Sequence, residues 1–344
     1  MGQVFGSRSG PTYTEPQAIA TKWFDDFEAG LPSQEGKAIA VTGCTSGTGL
    51  VCAKTCAKKG ARHVVLLNRP SSRAEAAEAA IKAVAAEGTT VTTIACDLQS
   101  FASVKAAGAA VVKLVGDGGL DCLCNNAGVM ALEDKATGDG YDVQMQTNHL
   151  SHFLLASECL PALKRAADLR GEARVVNHSS AARHTPKNPL DAKYLGANGG
   201  DLGGNGNSML FGGARWERYH QTKLANAVFT LALADKFEGT KLKAACAAPG
   251  LAATNLQVTT HSDGGMDDTW LMRFSQSAED GTMPLLTCCL APQVENGDFW
   301  EPKGLMAFRG PAAKKPLEAI CTKAESRALL WTASEAACGP FASI

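Results

Sequence analysis

The turn Thr42-Gly43-Cys44-Thr45-Ser46-Gly47-Thr48-Gly49 constrains this chain most, because of what flanks it: the apolar run Ala38-Ile39-Ala40-Val41 before it and a stretch of helical character, Leu50 to Lys59, after it. A run of that length has the size of a buried strand. A helix that starts on glycines leaves unpaired N–H groups, and the positive end of its dipole, facing whatever lies above the turn. Glycine also lets the backbone turn tightly and approach a pyrophosphate closely, so strand, glycine turn and helix together predict a dinucleotide site.

The rest of the chain keeps the same rhythm. His63-Val64-Val65-Leu66-Leu67 is a second candidate strand, Ser72 and Glu75 form a capping box at the head of an alanine-rich helix ending near Gly88, and Val91–Cys96, Ser100–Val115 and Leu120–Cys124 continue the alternation. Arg174–Asn177 and Leu242–Ala247 extend it. Such alternation predicts a single doubly wound α/β domain over residues 36–344, with about seven mostly parallel strands covered by helices on both faces. Residues 1–35, with Pro11, Pro16 and Pro32, are expected to be an N-terminal extension. Residues 183–215 carry Asn198-Gly199-Gly200, Gly203-Gly204-Asn205-Gly206 and Gly212-Gly213, which predicts a long irregular loop inserted in the domain.

Composition narrows the partners. The net charge of −1 gives no basic footprint for nucleic acid and no polybasic run for an anionic membrane. No run approaches the ~18 apolar residues of a spanning helix, and the N-terminus lacks the pattern of a secretory signal. A soluble, cytoplasmic protein is expected. Met1-Gly2-Gln3-Val4-Phe5-Gly6-Ser7 resembles an acylation signal, although Gly6 occupies the place of Ser or Thr in the stricter motif. The 12 cysteines, Cys52, Cys56, Cys96, Cys122, Cys124 and Cys246 among them, fall in apolar runs rather than at framework spacings, and are expected to be reduced, buried thiols. Cys122 and Cys124 share one strand face, where core packing is favoured over a metal or redox role. His149 and His152 are expected to be helix residues flanking Asn148; no metal site is predicted.

Two further features bear on chemistry. NAD-binding chains hold the ribose 2′-hydroxyl with an acidic residue at the end of the second strand, whereas this chain has Asn68-Arg69 there. An arginine fork pairs with a 2′-phosphate, so NADP(H) is the predicted cofactor. Tyr219 and Lys223 stand four residues apart on one helix face, the spacing at which an ammonium can lower a phenol's pKa toward neutrality.

Together with the glycine turn, Asn125-Asn126-Ala127-Gly128, Asn148 within Gln146–His149, Ser179-Ser180, Tyr219/Lys223, and Pro249-Gly250 with Thr254 occur in the order of the short-chain dehydrogenase/reductase family, and the chain resembles its retinol dehydrogenase-like reductases most. Leu224-Ala225-Asn226, Ser277–Gly281 and Leu330–Glu335 extend that resemblance. It implies that Tyr219 exchanges a proton with the substrate oxygen, that Lys223 holds the nicotinamide ribose, that Ser180 hydrogen-bonds the substrate oxygen, and that Asn148 holds a relay water. For the cofactor, it implies contacts from Gly43, Thr45, Ser46, Gly47, Thr48 and Gly49 in the turn, from Asn68 and Arg69, from Asp97 and Leu98 near the adenine, and from Asn126, Ala127 and Gly128. Pro249, Gly250 and Thr254 would close the nicotinamide side, and Asn125 would support the central sheet. The activity so implied is interconversion of a small-molecule carbonyl and its alcohol, with homo-oligomers possible. A lid over residues 254–275, with Trp270, Leu271, Met272 and Phe274, suggests a lipophilic substrate. A non-catalytic NADP(H)-binding sensor on the same fold is the alternative.

Overall fold

The computed structural model describes residues 19–186, 189–207, 211–252 and 275–344. The Gly2 signal, Thr254 and all of the expected lid except Ser275 lie outside the described residues. Eight strands form one sheet in the order β3-β2-β1-β4-β5-β6-β7-β8. They are β1 (Ala38–Thr42), β2 (His63–Asn68), β3 (Thr90–Ala95), β4 (Cys122–Asn125), β5 (Ala173–His178), β6 (Leu242–Ala247), β7 (Asp298–Pro302) and β8 (Ala312–Lys315). All pairs are parallel except β7 with β8. The predicted parallel core is present, and the antiparallel edge strand β8 is an addition to the expected number.

Each central strand is buried on both faces, and period-2 alternation divides its side chains between two cores. Ala38, Ala40, Val65, Leu67, Leu123, Val175 and Ala244 face α4 (Phe101–Val115), α5 (Ser151–Arg170), α6 (Ala214–Phe237) and α8 (Ala324–Cys338). Ile39, Val41, Val64, Leu66, Cys122, Cys124, Val176 and Ala245 face α2 (Gly47–Lys58), α3 (Ser72–Lys82) and α7 (Ala278–Leu290). Serines cap three of these helices: Ser71 accepts from Ala74 N–H, Ser100 from Ser103 N–H, and Ser277 from Asp280 N–H. The cap of α3 is therefore Ser71, one residue before the expected Ser72, which is already helical.

Part of the N-terminal extension is docked on the domain. The helix α1 (Phe24–Gly30) buries Phe24, and the Lys22, Trp23 and Phe24 N–H groups donate to the Asp280 carboxylate at the start of α7. No helix among the described residues is long and apolar enough to cross a membrane. The strand order reverses between β1 and β4, so the crevice above their carboxyl ends is where a doubly wound sheet receives a ligand.

Candidate functional site

The glycine turn joins β1 to α2 at this crevice. Gly43 and Gly47 have φ of +71° and +55°, which L side chains rarely adopt. Gly49 is required for packing instead, since a Cβ there would lie 2.2 Å from the Gly43 carbonyl oxygen and 2.4 Å from Asn126 Nδ2. Gly49→Ala is expected to lower unfolding stability by about 2–4 kcal/mol, because both neighbours belong to tightly held backbone or network. Urea denaturation measures it, and a loss below about 0.5 kcal/mol would contradict this packing.

A hydroxyl ties the turn to the neighbouring loop. Thr42 Oγ1 accepts the N–H groups of Asn126 (3.0 Å) and Ala127 (2.9 Å) and donates to His152 Nε2 (3.0 Å). The direction follows from His152 Nδ1, which donates to the Asn148 carbonyl, and burial holds this imidazole down to about 4, hence neutral. Asn126 Nδ2 donates to Thr42 O, while its Oδ1 accepts from Thr48 Oγ1 (2.8 Å) and His178 Nδ1 (3.0 Å). The predicted residues Thr48, Asn126 and Ala127 thus form one network. Ser46, the N-cap of α2, makes no side-chain capping bond, so the first N–H groups of the helix are left for an anion. At the end of β2, Asn68 Oδ1 accepts from Cys44 N–H, whereas its buried Nδ2 has no partner. Arg69 is exposed beside it, and Arg73, on the first turn of α3, donates to Ser46 Oγ (3.3 Å). Near the end of β3, Asp97 caps Gln99 N–H, and Leu98 is buried with its carbonyl bonded by Ser151.

The residues expected to carry acid–base chemistry converge from β5 and α6. Ser179 Oγ donates to the Lys223 carbonyl (2.7 Å) and so pins α6 to the end of β5; the next residue, Ser180, lies beside the Tyr219 hydroxyl. Lys223 Nζ donates to the His178 carbonyl (3.0 Å) and lies 5.8 Å from the Tyr219 ring centre. Asn148 sits in a π-helical stretch, Gln146–Leu150, of the kind that often marks a functional site. Its Nδ2 donates to Val129 O and Thr222 Oγ1, its Oδ1 accepts from Val129 N–H, and its carbonyl accepts from Asn226. Gly128 brings these groups together: a Cβ there would be 3.3 Å from Asn148 Oδ1 and 3.5 Å from Lys223 Nζ. Asn125, as expected of a sheet support, donates to Asn177 Oδ1. On the far side, Gly250 packs against the carbonyls of Ala307 and Phe308, and Pro249 O accepts from Gln276. His149 bonds Ser334, so both histidines beside Asn148 serve structural contacts.

Electrostatics depart from the expectation in one respect. Burial pushes the Tyr219 phenol up to about 12, opposed by the Ser180 side chain. Desolvation of the phenolate thus outweighs the predicted acidification by Lys223. Burial likewise lowers the Lys223 ammonium to about 8.

Sequence reading missed several neighbours. Arg73 carried a signal, being one turn beyond Arg69, but its contact with Ser46 depends on how α3 leaves β2. Met130, Ala131 and Trp216 form an apolar cluster with Tyr219, packed by Phe211 and Ala182. Trp216 meets the Tyr219 ring edge-on at 5.9 Å. The described part of residues 183–215 also carries ordered contacts. Asp134 accepts from the N–H groups of Gly200, Leu202 and Gly204, and Arg218, adjacent to Tyr219, donates to the Leu202 and Gly204 carbonyls while facing the Asp142 carboxylate at 3.3 Å. At its start, Arg183 is buried between Glu301 and Glu318.

Comparison with known proteins bears on the assignment. The family model for short chain dehydrogenase matches residues 37–195. Human retinol dehydrogenase 12 is 32% identical over 267 residues, covering 76% of this chain and 75% of that protein. An uncharacterized oxidoreductase of Schizosaccharomyces pombe is 34% identical over 241 residues, 68% of this chain and 65% of its own length. Among solved structures, an uncharacterized protein from Mycobacterium paratuberculosis superposes with a TM-score of 0.68 at 28% identity, over 94% of this chain and 99% of the other. With a sheet, a nucleotide turn and relatives of this kind, the chain belongs to the short-chain dehydrogenase family, as a retinol dehydrogenase-like oxidoreductase.

Proposed function

We propose that the protein interconverts a ketone or aldehyde and its alcohol with NADP(H), using Ser180, Tyr219, Lys223 and Asn148. The observation that carries this reading is the Ser180–Tyr219 hydroxyl pair beside Lys223 and Asn148 at Gly128. Residues at the crevice suit the coenzyme: the uncapped start of α2 for a pyrophosphate, the orphaned Asn68 Nδ2 as a donor, and Arg69 with Arg73 for a 2′-phosphate. To Asp97, Leu98, Pro249, Gly250 and Thr254 this reading assigns the coenzyme contacts that family resemblance implies. Bound there, the nicotinamide supplies or takes a hydride. Ser180 orients the substrate oxygen. Tyr219, protonated at neutral pH, donates its proton to that oxygen in reduction, and Lys223 holds positive charge close by. Asn148 places a water for proton return. The apolar wall of Met130, Ala131 and Trp216 favours a lipophilic substrate. A panel of aldehydes and ketones of graded length, followed by NADPH consumption, tests this: kcat/KM should rise with chain length, and equal turnover of short polar and long apolar carbonyls would count against it.

A pH dependence follows with opposite signs for activity and stability. Reduction should be level from about pH 6 to 7.5 and fall tenfold per pH unit above about 8, as Lys223 loses its proton. For stability, the unfolded chain holds the lysine proton to higher pH than the folded one, so the burial penalty is fully present below pH about 8 and is relieved as pH rises toward 10.5. Lys223→Met should therefore abolish most activity yet raise unfolding stability at pH 7 by roughly 1–3 kcal/mol. A variant less stable than the parent in urea would contradict the buried, destabilised ammonium.

A further inference from the structure

Five buried thiols converge beneath the nucleotide turn. Cys52 and Cys56 stand one turn apart on α2, Cys122 and Cys124 share the β4 face that meets α2, and Cys289 comes from α7. The Sγ atoms of Cys52, Cys124 and Cys289 all lie within 4.8 Å of one another. Cys56 lies beside Cys52, and Cys122 beside Cys289. Elsewhere in the core the sulfurs behave differently. Cys44, Cys288 and Cys338 donate to the carbonyls of Val41 (2.9 Å), Cys246 (3.4 Å) and Leu150 (3.3 Å), as a thiol does when it fills space next to backbone. In the cluster, sulfur meets sulfur from three segments distant in sequence.

We propose that Cys52, Cys124 and Cys289 bind a thiophilic divalent cation of the zinc type, with Cys122 or Cys56 as the fourth thiolate. Tetrahedral zinc–thiolate bonds of about 2.3 Å set sulfurs about 3.8 Å apart, so the trio needs to close by no more than about 1 Å. Binding is not redox chemistry: four S–H protons leave to solvent as four metal–sulfur bonds form. Since α2 begins at the glycine turn and β4 ends at Asn125, next to Asn126, the ion would clamp the two elements that frame the proposed coenzyme crevice.

The test is made on the full-length protein, produced in zinc-supplemented medium, with metal measured by mass spectrometry and thiols titrated after denaturation. The expected result is about one zinc per chain with all 12 thiols titratable once the metal is chelated, and a sulfur-to-cobalt charge-transfer band when cobalt replaces zinc during expression. Zinc should fall below about 0.1 per chain in a Cys52→Ala/Cys124→Ala/Cys289→Ala variant and be kept in Cys159→Ala, whose sulfur lies in the opposite core. Should the triple variant not fold, the cobalt spectrum of the parent protein still decides. Metal-free parent protein, fewer than 12 thiols because a disulfide has formed, no thiolate band, or zinc retained by the triple variant would each overturn the proposal.

Discussion

Tyr219→Phe is expected to lower kcat for carbonyl reduction by about 10³–10⁴-fold and to leave NADPH affinity within about threefold. The phenol lies beside Ser180, and its ring is held by Trp216 whether or not the hydroxyl is present. Removing the hydroxyl beside Ser180 should cost folding only about 1 kcal/mol, so stability cannot account for a drop of that size. Steady-state kinetics with fluorescence titration of NADPH separate the two quantities. A variant that keeps near-parental kcat would move the proton source to another group, and one that loses NADPH binding would make the tyrosine a coenzyme contact first.

The second large effect concerns coenzyme choice. Arg69→Asp combined with Arg73→Ala should raise KM for NADPH by about 10²-fold, because the two proposed guanidinium contacts to a 2′-phosphate are removed and a repelling carboxylate is added. Both arginines are exposed, so solvent screening keeps the loss near ~3 kcal/mol rather than the sum of two buried pairs. KM for NADH should change little or fall. Parental enzyme that uses NADH as well as NADPH would contradict the assignment of these side chains.

Residues differ in how much of their role could be read before folding. The parallel core was legible because strands such as Val64–Leu67 and Val175–Val176, buried on both faces, are continuous apolar runs. Asp298-Phe299-Trp300-Glu301-Pro302 and Ala312-Ala313-Lys314-Lys315 were not, since edge strands mix charge, proline and apolar side chains and carry no such period. The spacing of Tyr219 and Lys223 was plain in the sequence, yet the direction of the tyrosine's pKa was not, because desolvation depends on what packs around the hydroxyl from Met130, Ala131 and Trp216. Likewise, Cys122-Leu123-Cys124 revealed a shared face, but only the placement of α2 and α7 over β4 brought Cys52 and Cys289 to it.

Hydride transfer at the Tyr219 crevice is tested most directly by isotope. Reduction of an apolar aldehyde with NADPH carrying deuterium at both C4 positions should give an alcohol one mass unit heavier, labelled on the carbinol carbon, at a rate about 10³–10⁴-fold lower in Tyr219→Phe. Unlabelled alcohol, or coenzyme consumption without any alcohol formed, would contradict it.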